Sequence, residues 1–225
     1  MLQLQINEEM IKAISTRHKV TKYTNRSLPS DIINMINKRI SYINYNIEDI
    51  KLKLMINNTK GLTTFFKLFI SKGVKNYIIL SGKDSIDLEE KLGYYGMDIM
   101  LFVQSLGLNT WWIGDTYNKK YVQKEMYNYK VIGIIIFGYG ANNGTPHKSK
   151  TAIEVSSYNG DTPKWFKNGV NACLLAPTAR NKQAFFIKGN CDTVTISCNN
   201  GKYSHIDKGI LKYSFELAAK KNVFK

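Results

Sequence analysis

Three short polar clusters hold the residue types from which a binding site can be built. The first is Arg17-His18-Lys19-Val20-Thr21-Lys22-Tyr23, where cationic donors and a hydroxyl fall within a few residues of each other. Such a set could hold a phosphate, because hydrogen bonds between charged partners are the strong ones; it could equally be a solvated basic turn. Pro146-His147-Lys148-Ser149-Lys150 is a second cluster of the same kind. The third, Ala176-Pro177-Thr178-Ala179-Arg180-Asn181-Lys182-Gln183, lies between an apolar helix and an apolar strand. Thr178, Asn181 and Gln183 place side-chain donors and acceptors at that boundary, where they need partners. A ligand edge would supply them, and so would an ordinary capped loop.

The elements that must position these clusters follow from hydrophobic spacing. Helical patterns run from about Asn7 to Ser15, with Glu8 and Glu9 in the first turn, and from Asp31 through Ile32, Ile33, Ile36 and Ile40 to about Tyr42. The best-defined helix is Asp87 to Leu106, with Leu92, Gly96, Ile99, Val103 and Leu106 on one face and Gly107 placed to stop it. Glycine weakens a helix relative to alanine, so Gly93 and Gly96 point to close approach of another backbone or of a flat ligand. Further helices are expected from Pro163 to Ala176, before Pro177, and from Ile206 to Lys221. Strands are expected at Lys51–Ile56, Tyr77–Leu80, Leu108–Ile113 and Val131–Tyr139, with a loop and short helix between the first two. Ala184–Lys188 and Thr193–Cys198 read as a strand pair turning near Gly189-Asn190. The order helix, loop, strand pair and glycine-containing helix recurs weakly in the second half.

Composition narrows the class. The chain of 225 residues is long enough to bury a large core. Cys173, Cys191 and Cys198 are an odd number at no metal-ligand spacing, which suits a reducing, cytoplasmic setting and implies no metal site. The N-terminus lacks the continuous apolar segment of a secretion signal. The longest apolar run, about Val131 to Tyr139, is far short of the ~20 residues that span a bilayer, so no membrane partner is expected. The net charge of +15 favours anionic partners of every kind. Its lysines are scattered singly, which favours a solvated basic surface over a nucleic-acid groove.

Taken together, these residues resemble the FMN-dependent nitroreductase family. Arg17 to Tyr23 is similar to its N-terminal phosphate motif, and Thr24-Asn25-Arg26-Ser27-Leu28-Pro29 to the turn before its second helix. Leu92 to Gly114, above all Leu106-Gly107-Leu108-Asn109-Thr110-Trp111-Trp112-Ile113-Gly114, resembles its long core helix and the strand after it. Gly138-Tyr139-Gly140, with Lys148 and Lys150, resembles its closing strand and basic pair. In two places the pattern departs: Lys19 stands where a serine is usual, and Thr21 where a second basic residue is usual. The Ala-Pro-Ser-x-x-Asn-x-Gln motif, normally placed after the second helix, has its match at Ala176 to Gln183 instead.

The resemblance implies an α+β fold, a mixed and mainly antiparallel sheet surrounded by helices. It also implies a fused pseudo-dimer of the Thermotoga type, with a first half at 1–150 and a second at 151–225. The implied cofactor is FMN, reduced by NADH or NADPH and reoxidised by a small electron-poor acceptor in ping-pong order. Arg17, His18, Lys19 and Thr21, joined by Lys148 and Lys150, would meet the phosphate and ribityl chain. Pro177, Thr178, Ala179 and Asn181 would meet the isoalloxazine, with the backbone of Ile113 and Gly114 facing its reactive edge. No catalytic side chain is implied. The alternatives are a flavin-binding protein without turnover and a basic nucleic-acid-binding protein.

Overall fold

The computed structural model describes residues 8–224. They form two compact units. One joins Thr16–Leu88 to Ile99–Pro146, and the other gathers the described residues up to Ser15 with Glu89–Asp98 and the described residues from His147 onward.

The first unit is built on a four-stranded antiparallel sheet of β1 (Ile50–Met55), β2 (Asn76–Gly82), β3 (Asn109–Ile113) and β4 (Lys130–Gly138), in the order β1-β2-β4-β3. β2 is buried along its whole length and β4 from Gly133 onward, as near-continuous apolar runs require when both faces are covered. Phe66, Tyr77, Ile79, Ile113, Ile134 and Ile136 lie in one core cluster. α2 (Ser30–Asn46) buries Ile36, Ile40 and Ile43. Its Asn44 amide grips β1 from both sides: Nδ2 donates to the Leu52 carbonyl at 2.9 Å and Oδ1 accepts from the Leu52 N–H at 2.7 Å. The short helix expected between β1 and β2 is a single π-helical turn at Phe66–Ile70. A further helix, α4 (Lys119–Glu125), was not expected; it buries only Val122, so its sequence shows no apolar period.

The second unit contains α1 (Glu8–Thr16), α5 (Ala152–Val155), β5 (Ser156–Asn159), α6 (Lys164–Leu175), β6 (Phe185–Asn190), β7 (Thr193–Cys198) and α7 (Ser204–Ala219). The expected start of α1 at Asn7 lies outside the described residues. β6 pairs antiparallel with β7 as the sequence suggested, while β5, unforeseen, pairs parallel with β6. The expected mixed, mainly antiparallel pairing therefore occurs as two sheets and not one. Pro163 sits at the N-cap of α6 instead of in its first turn, because it precedes the first helical residue with extended backbone.

α3 (Leu88–Ser105) ends as expected, with Gly107 at φ +78° in the left-handed conformation that glycine tolerates. Its segment Glu89–Asp98 packs on α7 through two glycines. A Cβ on Gly93 would strike the Ile206 carbonyl, and one on Gly209 would strike the Glu90 carbonyl. Polar pairs fix this crossing: Tyr94 Oη donates to Glu216 at 2.8 Å and Tyr213 Oη to Asp98 at 2.7 Å. Glu90 is paired with Lys208 and Lys212. Of the two uses foreseen for Gly93, the structure realises approach to a backbone. Replacing Gly93 or Gly209 with alanine should cost about 2–3 kcal/mol, the overpacking range, since backbone and not a flexible side chain blocks each Cβ. Denaturant titration with an unchanged m-value would measure it; a loss below about 0.5 kcal/mol would mean the helices separate freely.

Candidate functional site

After α1 the chain runs extended across the ends of strands in the first unit. Lys19 bridges Thr110 of β3, Lys22 bridges Lys72, and Tyr23 bridges Gly140. The Tyr23 N–H donates to the Lys72 carbonyl and the Thr24 N–H to that of Tyr139, while the Lys72 N–H and Ser71 hydroxyl donate to the Thr21 carbonyl. Val20 and Tyr23 plug into the core. This backbone frame decides where the basic side chains fall.

Arg17 is only 4% exposed, and burial pushes its guanidinium down to about 10, which leaves it charged at neutral pH. His18 and Thr21 are half-buried, and Lys19 is exposed. The Lys19 ammonium lies 4.5 Å from the centroid of the Trp111 ring, a cation–π contact that restrains a long side chain. Gly144, at φ +74°, closes over the segment; a Cβ there would fall 2.6 Å from the Lys19 carbonyl oxygen and 2.8 Å from His18 Cβ. Thr110 Oγ1, beside the Lys19 bridge, and Tyr23 Oη are buried with no hydrogen-bond partner among the described residues. Ile113, buried, closes β3 and Gly114 follows it. At ~3.3 Å per residue, Ile113 lies about 10 Å along the strand from Thr110. Lys19 is thus set beside the start of β3, with Arg17, His18 and Thr21 on the same segment as a first neighbourhood, while Ile113 and Gly114 lie at the far end of that strand.

The remaining candidates form a second neighbourhood in the other unit. After α6 the chain makes a tight 3₁₀ turn, Ala179–Asn181, in which Arg180, Asn181 and then Gln183 take positive φ of 55°, 52° and 46°. Left-handed backbone at non-glycine residues persists only where surroundings hold it. Here the holder is Gln183, 1% exposed. Its Nε2 donates to the Leu174 carbonyl at 2.8 Å, its Oε1 accepts from the Lys150 N–H at 2.7 Å, and its own N–H donates to Thr178 Oγ1 at 3.1 Å. His147 Nε2 lies 3.2 Å from the same amide. Asn181 Nδ2 donates to the Lys148 carbonyl at 2.8 Å, and Lys150 Nζ to the Gln183 carbonyl at 2.8 Å. The sequence reading grouped Lys148 and Lys150 with the Arg17 cluster; the structure joins them to the Pro177–Asn181 loop. Part of the polar capacity of Thr178, Asn181 and Lys150 is spent on holding that loop.

Four contributors escaped sequence reasoning. Trp111 and Thr110 sat inside a matched motif without a role. Gln183 ended a motif but was read as a boundary residue and not as its anchor. Asp207 lies far along the chain in the first turn of α7, and both of its carboxylate oxygens accept from the Ala179 N–H, at 3.0 and 3.1 Å. Burial pushes its carboxyl up to about 6, partly offset by that N–H. Burial likewise pushes the Cys198 thiol up to about 12 and raises that of Cys173, so neither is a thiolate nucleophile at neutral pH.

The sequence matches the family model described as "Putative TM nitroreductase" over residues 9–219. No curated protein matches it. Among solved structures, a Thermotoga maritima protein described as a "putative nitroreductase" is similar with a TM-score of 0.69 at 20% identity, over 97% of this chain and 86% of that one. A Desulfovibrio desulfuricans protein of the same description, solved in complex with FMN, has a TM-score of 0.53 at 15% identity, over 68% of this chain and 96% of its own. A Bacteroides thetaiotaomicron protein described as "Putative NADH dehydrogenase/NAD(P)H nitroreductase" has a TM-score of 0.52 at 19% identity, over 65% and 95%. At these identities the structural likeness establishes the α+β fold.

Asp207 provides a test of the loop anchor. A carboxyl whose pKa is higher folded than unfolded favours the protonated native state, so its ionisation destabilises the protein as pH rises from about 4 to about 6. Asp207→Asn keeps one acceptor oxygen and removes the charge. Its melting temperature relative to wild type should therefore shift upward between pH 4 and pH 7 and level off above. Thermal melts across that range would show it, and a difference independent of pH would exclude Asp207 as the titrating group.

Proposed function

The chain belongs to this nitroreductase family, and on that premise we propose that it is an FMN-dependent oxidoreductase drawing on NADH or NADPH and reducing small electron-poor acceptors such as nitro compounds or quinones. The observation that carries this reading is the cationic segment Arg17–Thr21 fixed by backbone pairing against β3. Support also comes from the similar Desulfovibrio protein, which was solved with FMN. The donor set fits the group: a buried guanidinium, a restrained ammonium, an imidazole, and the Thr110 hydroxyl, which has no partner among the described residues.

In this reading Arg17, His18, Lys19 and Thr21 hold the phosphate and ribityl chain, with Ile113 and Gly114 offering backbone N–H groups toward the ring. Pro177, Thr178, Ala179 and Asn181 contribute to flavin binding, as do Lys148 and Lys150. FMN held by these residues would supply two-electron redox chemistry between a nicotinamide reductant and an electron-poor acceptor. The side chains bind, orient and exclude water. Arg17 stays protonated through the physiological range, so its attraction for a phosphate dianion is not pH-gated from the protein side. Donors fixed in a strand end need no reorganisation as charge develops on a ligand, which makes them more effective than mobile ones.

The chain is further proposed to be a pseudo-dimer with one flavin per polypeptide, because the Arg17 motif and the Pro177–Asn181 motif each occur once. Arg17→Ala should weaken FMN binding by ~1.5–3 kcal/mol, the range for hydrogen bonds to charged groups, with the fold kept intact as judged by circular dichroism. Fluorescence titration of the apoprotein measures this, and chromatography of heat-released cofactor should show FMN and not FAD. Unchanged affinity would return Arg17 to a purely structural role. Asn181→Ala should weaken the same flavin, and mixing the two variants under exchange conditions should restore no tightly bound fraction. Restoration would mean that the site is shared between chains.

A further inference from the structure

Several large apolar side chains of the first unit are exposed, Met35, Tyr42, Tyr45, Ile86 and Tyr127 among them, but one short turn leaves three in solvent within five residues. In the turn between β1 and β2, Phe65 is 63% exposed, Leu68 58% and Phe69 75%. The Phe65 and Phe69 rings touch, with centroids 5.3 Å apart, and Leu68 falls three residues after Phe65, the spacing that shares one side of a helical turn, so the three make an apolar ridge. The turn beneath them is anchored: Phe66 is fully buried against Trp111, and the Ser71 N–H closes the turn on the Phe66 carbonyl. A ridge held out from a packed base calls for an occupant, since exposed contiguous apolar surface marks an interaction site.

The charge around the ridge selects that occupant. From Ile50 to Lys83 the chain has seven lysines and neither Asp nor Glu. Lys53 is matched by Glu125, and Lys83 by Glu48 and Asp49. Lys60, Lys67 and Lys72, all exposed, flank the ridge itself. A second copy docking ridge to ridge would set these lysines against their own equivalents, an unfavourable like-charge contact. A surface that is apolar inside and densely anionic outside meets both requirements. We propose that the Phe65–Phe69 turn docks this protein on an anionic lipid bilayer, with Phe65, Leu68 and Phe69 entering the acyl boundary and Lys60, Lys67 and Lys72 meeting the headgroups. This is a peripheral contact; among the described residues no helix is long and apolar enough to cross a membrane. It does not depend on the identity of the bound cofactor.

The test is cosedimentation of the full chain with phosphatidylcholine vesicles, with and without about 30 mol % phosphatidylserine, the kind of surface to which each nearby lysine adds binding strength. Wild type should pellet with the anionic vesicles only and be released by salt. Phe65→Ser combined with Phe69→Ser should lower the partition coefficient about tenfold or more, the effect expected for removing two inserted aromatics. Ile153→Ser, at an exposed apolar residue of the other unit, should leave it unchanged. Circular dichroism would check that both variants keep the wild-type fold. Failure to pellet with anionic vesicles would overturn the proposal. So would equal pelleting of the double variant, which would assign binding to the diffuse basic surface. Self-association without lipid in sedimentation velocity, abolished by the double variant, would also overturn it and make a second copy the occupant.

Discussion

The backbone hydrogen bonds of Thr21 to Thr24 set the position of nearly every residue in the first neighbourhood. They tie a segment with no regular structure of its own to two separate parts of the unit, the chain at Ser71–Lys72 and the end of β4. Once those bonds form, the alternation of an extended chain follows: Val20 enters the core while Lys19 and Thr21 face away from it. Tyr23 plugs a second point of the core. Arg17 is drawn in behind them, and burial of its charged head is costly, which is what lowers its pKa.

The second neighbourhood solves a different problem. A loop that turns sharply through consecutive left-handed residues has an unfavourable backbone, and none of those residues is glycine. Buried polar groups supply the compensation. Gln183 works on three parts of the chain at once, and Asp207 holds the Ala179 N–H from α7. Such networks are stabilising when complete and costly when one member is missing. The complete network fixes the loop in one conformation.

Much of this fold was legible in the sequence. The apolar runs Tyr77–Leu80 and Val131–Tyr139 read as strands and are β2 and β4, the Leu92–Leu106 periodicity read as a core helix and is α3, and Gly107 marked its end. α4 and β5 were illegible because too few of their residues are buried to leave a period. The clusters were visible as clusters, but their partners were not. Nothing local connects Asp207 with Ala179, and the joining of Lys148 to Asn181 depends on how the chain returns after β4. Lys150 shows the general difficulty: a lysine suggests a charge for a ligand, whereas its ammonium meets the Gln183 carbonyl. Residue type reveals what a group can do, and only tertiary structure reveals what it is already doing.

The grip of Asn44 on Leu52 has a consequence for how the chain survives in a crowded solution. β1 and β3 are the outermost strands of the four-stranded sheet, and the strands between them are rich in isoleucine, a β-branched composition prone to fibril pairing. At Leu52 a side-chain amide satisfies the outward-facing backbone of β1, mimicking the strand that would otherwise add there. At Thr110 the Lys19 bridge occupies β3 in the same manner. Lys51 and Lys53 add charge to the β1 margin, a further deterrent to strand addition. The sheet therefore offers a foreign chain little open ladder on which to grow, and the segment that presents Arg17 and Lys19 doubles as a guard against aggregation.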